Sequence, residues 1–224
     1  MARSFFITGT DTGVGKTVVT CGLLRAFAAA GERVVGMKPV AAGATRAAGA
    51  LINDDAAQLR AAGNIEAPLD LINPYCFEPP IAPHLAAMHA GVVISLEIIG
   101  NAFTALAERA DRVMVEGVGG FRVPLNATQD SADLAMQLAL PVILVVGIRL
   151  GCLNHALLTA HAIEERNLEF TGWIANRIDP QMEDIDLNIA ALKQRLAAPL
   201  LGDIAHAPID APRVAAQLDL SLLR

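Results

Sequence analysis

The chain has 224 residues, of which 54% are hydrophobic and 18% charged, and its formal net charge is −6. This apolar content excludes a disordered chain and is typical of one α/β domain with a well-buried sheet. The 17 lysines and arginines are scattered rather than clustered, which excludes the electrostatic footprint of a nucleic-acid-binding surface.

The first predicted strand, Ser4–Thr8, leads into the segment GTDTGVGKT (Gly9–Thr17), which ends like a phosphate-binding loop. In the common form of that loop, four residues separate the first glycine from the Gly-Lys pair. This chain has Thr10 at that place, and its glycine comes one residue earlier. A strand, a glycine-containing turn and a helix opening on Lys-Thr are the context that such a loop requires. We therefore expect backbone N–H groups to face phosphates, with Lys16 at the terminal ones and the Thr17 hydroxyl on Mg²⁺.

The pattern KTVVTCGLLRAFAAAG predicts a helix that begins on the Gly-Lys turn and ends at Gly31, because glycine commonly terminates helices. The second predicted strand, Arg33–Lys38, follows it. Since Pro39 comes next, Lys38 cannot continue a helix, and its side chain is expected at the edge of the sheet where ligands bind. On this feature alone, a solvated surface lysine is an equal alternative.

Acidic residues occur at two places where elements begin or end. Asp54 and Asp55, in INDDAAQL, open a predicted helix, and taken alone they fit helix N-caps better than metal ligands. An amphipathic helix in SLEIIGNAFTALAERA precedes the third predicted strand, Arg112–Glu116. Glu116 closes this apolar run, and the glycines after it let the backbone approach a ligand closely. Glu116 is thus a candidate Mg²⁺ ligand, with plain strand capping before a turn as the alternative.

Three further strands are predicted at Val142–Gly147, Gly172–Asn176 and Pro199–Ile204. The predicted strands are continuously apolar rather than alternating, which favours a sheet covered on both faces. The fold class that follows is α/β, a doubly wound, mostly parallel sheet of the P-loop NTPase type with helices on both faces. Ligands of such a sheet bind beyond the carboxyl ends of its strands.

Two of these strand ends carry further candidate groups. The helix in VVGIRLGCLNHALL begins near Gly151–Asn154, and its free N-terminus can accept an anion, although an ordinary turn is favoured on this feature alone. Asn176 ends the following strand. Its carboxamide can pair with adenine, as asparagine does in base readout, but most such asparagines simply form turns.

Cysteines, histidines and apolar runs exclude several other classes. Cys21, Cys76 and Cys152 lie far apart with no CxxC pair, so neither a disulfide framework nor a zinc site is expected. The five histidines have no metal-ligand spacing and receive no catalytic role. Because the apolar runs are too short to cross a bilayer and the N-terminus has no signal-peptide core, we expect a cytoplasmic protein without membrane or nucleic-acid partners.

Several separated segments resemble the dethiobiotin synthetase family in order and spacing over nearly the whole chain: TGTDTGVGKT, GMKPVAAG, NPYCFEPPIAPH, VEGVGG, LPVILVVGIRLGCLNHALLTA, GWIAN and APLLGDI. The resemblance implies that 7,8-diaminononanoate, CO₂ or bicarbonate and ATP are converted to dethiobiotin, ADP and phosphate. It also implies a need for Mg²⁺, no organic cofactor, and a homodimer with the site at the subunit interface. The displaced glycine would be the family's own form of the loop.

The resemblance further implies roles for individual residues. The catalytic residues would be Lys38, Lys16 and Thr12, and the metal ligands would be Thr17, Asp55 and Glu116. ATP would contact Gly13, Val14, Gly15, Lys16, Thr17, Asp55, Glu116, Gly117, Val118, Gly119, Asn176, Arg177, Ala205, His206 and Ala207. The substrate would contact Thr12, Lys38, Ala42 and, from the other subunit, the carboxylate-binding turn with Gly151, Cys152 and Asn154.

Three positions depart from residues that some family members have. Gly13 replaces a glutamate of the loop, Ala42 a serine that touches the substrate, and Asn188 a tyrosine near the carboxylate. We expect these differences to change affinity rather than the class of reaction.

Two other classes of function are alternatives. A partitioning-type ATPase switch has the same broad fold, but its loop carries an extra early lysine and this loop has none before Lys16. A small-molecule or nucleotide kinase needs an arginine-bearing lid over the phosphates, and the segment RLGCLN is poor in arginine.

Overall fold

The computed structural model describes residues 4–47, 49–206 and 210–223. Its strands in chain order are β1 Phe5–Gly9, β2 Val34–Met37, β3 Val40–Ala42, β4 Thr45–Ala47, β5 Ala50–Ile52, β6 Tyr75–Phe77, β7 Arg112–Glu116, β8 Val142–Gly147, β9 Phe170–Asn176 and β10 Leu200–Ile204. Its helices are α1 Lys16–Ala29, α2 Asp54–Ala62, α3 Leu69–Ile72, α4 Pro83–His89, α5 Leu96–Ala107, α6 Ser131–Leu138, α7 Cys152–Glu165, α8 Ile185–Arg195 and α9 Ala211–Ala215. A 3₁₀ turn follows at Leu220–Leu223.

Six of these strands form one sheet in the order β10-β9-β8-β1-β7-β2, and every neighbouring pair in it is parallel. They are the six strands predicted from the sequence. The ends agree to within two residues; β9, for example, begins at Phe170 rather than at Gly172. The predicted α/β class with a parallel sheet is therefore confirmed.

Both faces of the sheet are covered, as the continuous apolar strands indicated. Phe5 and Ile7 of β1 pack in one core cluster with Leu24 of α1. Phe6, between them, points to the opposite face and packs in a second cluster with Ile99 of α5. Successive side chains of a strand alternate between faces, so only a strand buried on both sides can be apolar at every position.

The predicted ends of α1 are also observed. The helix begins at Lys16, its last helical residue is Ala29, and Gly31 has a φ of 89°, in the left-handed region that favours glycine. Within the described ranges, no helix is both long and apolar enough to span a bilayer.

Four short strands lie outside the main sheet and were not predicted. β3 pairs with β6 in parallel, and β4 pairs with β5 as an antiparallel hairpin. Each has only three residues, which is too short to show a periodic pattern. One of these strands, β3, matters here because it borders the cavity described below, as does the start of α4.

Candidate active site

The loop between β1 and α1 leaves the first turn of α1 open to a ligand. Gly13 and Gly15 have φ values of 75° and 85°, which other residues rarely adopt. Gly15 is the N-cap of α1, and no side chain among the described residues caps that end. The N–H groups of the first turn and the positive end of the helix dipole are thus presented to an anion.

Close packing explains the displaced glycine of this loop. Val14 is fully buried, and a Cβ atom placed on Gly9 would lie 2.7 Å from Val14 Cγ2. Any larger residue at position 9 would force Val14 out of the core. The longer loop therefore needs its glycine at the end of β1, where Val14 folds back over it.

Asp11 organises the loop from within. Its Oδ1 accepts the N–H of Thr12 at 2.7 Å, and its carbonyl oxygen accepts a hydrogen bond from Lys16 Nζ at 2.9 Å. Its Oδ2 accepts a guanidinium N–H of Arg149 at 2.7 Å. Sequence reasoning missed Arg149, because its partner lies 138 positions away in the chain. This pair joins the loop to the turn that precedes α7.

Lys38 forms the centre of a buried charged cluster. Its Nζ donates to Asp55 Oδ2 at 2.8 Å and to Glu116 Oε1 at 2.5 Å. Thr17 Oγ1 donates to the same Glu116 oxygen at 2.9 Å. Lys38 is 3% exposed and Glu116 0%, and among the described residues Glu116 Oε2 has no hydrogen-bond partner. The three residues that the resemblance implies as metal ligands are thus brought together around the Lys38 ammonium.

The surroundings of the cluster shift the pKa values of its two lysines in opposite directions. Burial and then repulsion by the Lys38 ammonium lower the pKa of Lys16 to about 8. Burial also disfavours the charge of Lys38, but the carboxylates of Glu116 and Asp55 outweigh it and raise the pKa of Lys38. Burial acts to raise the pKa of Asp55, yet the charge of Lys38 prevails and lowers it. Lys38 is therefore firmly cationic, whereas nearby carboxylates compensate the charge of Lys16 only in part.

A cavity of about 770 Å³ opens beside these groups. It is lined by predicted site residues from four segments of chain, namely Thr12, Gly13, Gly15, Lys16, Thr17, Lys38, Ala42, Asp55, Glu116, Val118 and Gly119. Pro80, Ile81 and Val123 form apolar parts of its wall. Two ammonium groups next to an uncapped helix end can neutralise anions here, and the apolar wall suits an alkyl chain.

A second group of predicted residues lies outside this cavity, at the carboxyl ends of β9 and β10. Asn176 Nδ2 donates to the Val14 carbonyl at 2.8 Å, which supports the loop from behind. The Arg177 guanidinium pairs with Asp203 and Asp186.

The remaining predicted contacts with the nucleotide follow β10. The N–H of Ala205 donates to Gln217 Oε1 at 3.0 Å, and His206 Nδ1 lies 3.0 Å from the Arg177 carbonyl oxygen. The side chains of Ala205 and His206 are exposed. Ala207 falls outside the described residues.

The Gly151–Asn154 turn also lies away from the cavity. Gly151 has a φ of 93° and is the N-cap of α7, whereas Cys152 is buried and its N–H donates to the Arg149 carbonyl at 3.0 Å. Asn154 is exposed. These residues are not among those that line the cavity in their own chain.

Asn53 is a second residue that sequence reasoning missed. Its Oδ1 accepts the N–H groups of Asp55 and Ala56, which makes it the N-cap of α2. Its Nδ2 reaches the Ala42 carbonyl at 3.4 Å. The expectation that Asp54 or Asp55 caps this helix is therefore wrong. Because Asn53 takes the capping position, the carboxylate of Asp55 is left to bond Lys38.

Replacing Asn53 with alanine should lower the free energy of unfolding by about 1 kcal/mol, because two N–H groups of α2 lose their acceptor. Urea unfolding monitored by circular dichroism measures the change. Asn53→Ser keeps a capping oxygen and should remain within about 0.5 kcal/mol of the wild type. Equal unfolding midpoints for the alanine and serine variants would show that the cap does not stabilise the helix.

An all-parallel sheet with an open phosphate-binding loop after its strand β1 defines a P-loop NTPase. Relatives from Aromatoleum aromaticum and Nitrosospira multiformis, both named ATP-dependent dethiobiotin synthetase, are 56% and 55% identical to this chain. The alignments cover 97% and 92% of this chain and 97% and 89% of the relatives. The chain belongs to the dethiobiotin synthetase family. The family model that matches it, over residues 3–210, is described as an AAA domain.

Solved structures support the fold at lower identity. The septum site-determining protein MinD of Pyrococcus horikoshii, solved with Mg-ADP, has a TM-score of 0.60 and 17% identity, covering 100% of this chain and 89% of that one. A ParA family ATPase from Chlorobium tepidum has a TM-score of 0.56 and 13% identity, covering 99% and 93%. At these identities the likeness concerns the fold alone.

Proposed function

We propose that this chain is an ATP-dependent dethiobiotin synthetase, a ligase that carboxylates 7,8-diaminononanoate with CO₂ and closes the cyclic urea of dethiobiotin in biotin biosynthesis. The observation that carries the proposal is one cavity lined both by Lys16, at the start of α1, and by Lys38, just after β2. The high identity to relatives of that name over nearly the whole chain supports it. Since ATP is a co-substrate, we also propose a cytoplasmic location.

The reaction begins with an amine of the substrate in its neutral form. The amine nitrogen attacks CO₂, and loss of its proton to water leaves a carbamate anion. A carbamate oxygen then attacks the γ-phosphorus of ATP, the bond from that phosphorus to the bridging oxygen breaks, and ADP leaves. The second amine attacks the carbonyl carbon of the resulting carbamic–phosphoric anhydride, loses a proton and expels phosphate as the ring closes.

The main physical obstacle is the meeting of two anions. A carbamate and a phosphate oxygen about 4 Å apart repel by roughly 4 kcal/mol at an effective dielectric constant near 20. In our proposal, Lys16 neutralises the phosphates and Lys38 neutralises the carbamate as it approaches. Charges that are already fixed before the reaction need no reorganisation, which is why preorganised charge is usually the largest catalytic contribution.

The residues around Lys38 fit a magnesium ion. Thr17 Oγ1, Asp55 and Glu116 offer only oxygen ligands, which Mg²⁺ prefers, and the buried Glu116 Oε2 is an acceptor with no partner among the described residues. No group of three or more histidine, cysteine, aspartate or glutamate residues suited to a metal occurs in the described part of the chain. Two carboxylates and a hydroxyl are sufficient, since Mg²⁺ keeps waters and phosphate oxygens as its other ligands. When bound, the ion would withdraw charge from the phosphate oxygens.

Positioning accounts for the ring closure. We propose that Thr12 and Ala42, which line the cavity, lie beside the reacting end of the substrate, and that Pro80 and Ile81 contact its alkyl chain. With both amines held on one surface, the second attack becomes intramolecular. Neither Thr12 nor Ala42 supplies a charge, so their part is orientation.

The nucleoside part of ATP would lie at the ends of β9 and β10. We propose that Asn176 reads adenine through Oδ1 and its second amide hydrogen, since its first is committed to Val14. The chain at Arg177, Ala205 and His206 would flank the nucleoside. The guanidinium of Arg177 already pairs with two aspartates, so it would serve as a wall rather than as a phosphate ligand.

The substrate carboxylate would be held by a second copy of the chain. We propose a homodimer in which the turn with Gly151, Cys152 and Asn154 approaches the partner's cavity, with the open end of α7 attracting the carboxylate. Leu150, beside this turn, is 92% exposed. Such exposure of a large apolar side chain is consistent with an interface there.

The direct test mixes the protein with 7,8-diaminononanoate, bicarbonate and MgATP and detects dethiobiotin by mass spectrometry. We expect one ADP per dethiobiotin and no product when ATP or bicarbonate is omitted. Release of ADP without dethiobiotin, especially if DNA stimulated it, would overturn the proposal and favour the partitioning-type switch.

A further inference from the structure

The two carboxylates proposed to hold a divalent cation are the ones that bond the Lys38 ammonium. Lys38 Nζ bonds Asp55 Oδ2 at 2.8 Å and Glu116 Oε1 at 2.5 Å, and Thr17 Oγ1 bonds that same glutamate oxygen. A divalent ion bound to the same two carboxylates would lie within a few ångströms of the ammonium, and the two cations would repel each other strongly in this buried site. The ammonium and a divalent ion are therefore alternative counter-ions of one site.

The backbone of Lys38 is fixed by hydrogen bonds, so only its side chain can move away from the carboxylates. Its N–H donates to the Ile72 carbonyl at 2.7 Å, and its carbonyl oxygen accepts from Asn73 Nδ2 at 2.7 Å. Pro39 restricts the backbone further. The side chain, in contrast, borders the large cavity and has space in that direction.

The Glu116 carboxylate needs a counter-ion at all times. Glu116 is completely buried, and a buried carboxylate without a partner is strongly destabilising. Lys16 Nζ does not supply the partner, because it donates to the Asp11 carbonyl instead. Whenever the Lys38 side chain leaves, another cation has to replace it.

We infer that the Lys38 ammonium and a divalent cation compete for Asp55 and Glu116, so that arrival of the cation releases Lys38 into the cavity. The lysine would thus become available to the carbamate only after the cation is in place. The exchange also leaves the Glu116 carboxylate paired with a cation throughout. This inference rests on the proposed function for its cation ligands, but its test requires no catalysis.

The test measures Mn²⁺ binding to the nucleotide-free protein by electron paramagnetic resonance. Competition of this kind is worth about 10- to 100-fold in affinity, so Lys38→Met should bind Mn²⁺ that much more tightly than the wild type. The matched control is Lys16→Met, which removes the same charge from the same cavity but breaks no bond to a carboxylate; we expect a gain of no more than about threefold. Equal gains in both variants, or none in Lys38→Met, would overturn the inference.

If Lys38→Met does not fold, a second measurement tests the inference on the wild-type protein. The chain has only three lysines, Lys16, Lys38 and Lys193, so the side-chain ammonium signals of the wild type can be assigned in NMR spectra of protein with labelled lysine. Saturating Mg²⁺ should shift the Lys38 signal and speed the exchange of its protons with water, while exposed Lys193 stays unchanged. A Lys38 signal that does not respond would contradict release. Dethiobiotin could still be formed in that case, which distinguishes failure of this inference from failure of the proposed function.

Discussion

Replacing Lys38 with alanine should lower the turnover of dethiobiotin formation by about 10²- to 10³-fold, while MgATP still binds. The reason is that Lys38 is the group proposed to neutralise the carbamate, and its ammonium is firmly protonated. The phosphate-binding loop and Lys16 are retained in the variant, so the nucleotide keeps its main contacts. Turnover is measured as dethiobiotin by mass, and ATP affinity by calorimetry.

The stability of the variant has to be checked in the same experiment. Breaking a buried ion pair leaves Glu116 without a counter-ion and costs about 3–5 kcal/mol. Assays should therefore be run well below the unfolding temperature, with circular dichroism as the check. Lys193→Ala is a suitable control. Lys193 is exposed on α8, so its replacement should change neither the turnover nor the affinity for ATP. Near wild-type product formation by a folded Lys38→Ala protein would remove Lys38 from the proposed mechanism.

Much of the main sheet could be predicted because burial on both faces marks its central strands, such as β1 and β8, with a nearly unbroken apolar run. Val142–Gly147 is the clearest case, since all six residues are buried and both ends were predicted correctly. The short strands β3 and β6 could not be found in this way. Each is held by pairing with a partner that is distant in sequence, and three residues carry no period.

The candidate site likewise contains residues that sequence patterns identified and residues that they did not. Lys16 and Glu116 could be singled out because a parallel sheet collects the ends of its strands at one edge. Asp55 looked like a helix cap on its own, and only the resemblance pointed to a metal ligand. Asn53 could have been found, because asparagine directly before a predicted helix is a local N-cap signal. Arg149 could not, because its role depends on a tertiary contact with Asp11 that no local pattern records.

Replacing Lys16 with methionine should weaken ATP binding by at least about 100-fold and yet stabilise the nucleotide-free protein. The loss of affinity follows because the variant has no cation for the terminal phosphates, and charged hydrogen bonds of this kind are worth about 2–3 kcal/mol or more when buried. The gain in stability follows from the low pKa of Lys16, about 8 against an ordinary value of 10.5. That difference amounts to roughly 3 kcal/mol of unfavourable charge at neutral pH. The lost hydrogen bond to the Asp11 carbonyl offsets part of it, so we expect a net gain of about 1–3 kcal/mol.

The pH dependence of this gain identifies its cause. Below pH 8 the ammonium is charged in both the folded and the unfolded chain, so its full cost is present and methionine has its full advantage. Between pH 8 and 10.5 the folded wild type loses the proton while the unfolded chain retains it, so wild-type stability rises relative to the variant. Urea unfolding at pH 7 and pH 10 should show the advantage shrinking, whereas a constant gain would mean that better apolar packing, rather than relief of a buried charge, stabilises the variant. A loop that stores such a charge without its ligand sacrifices stability for nucleotide affinity, because the phosphates provide the partner that the folded chain lacks.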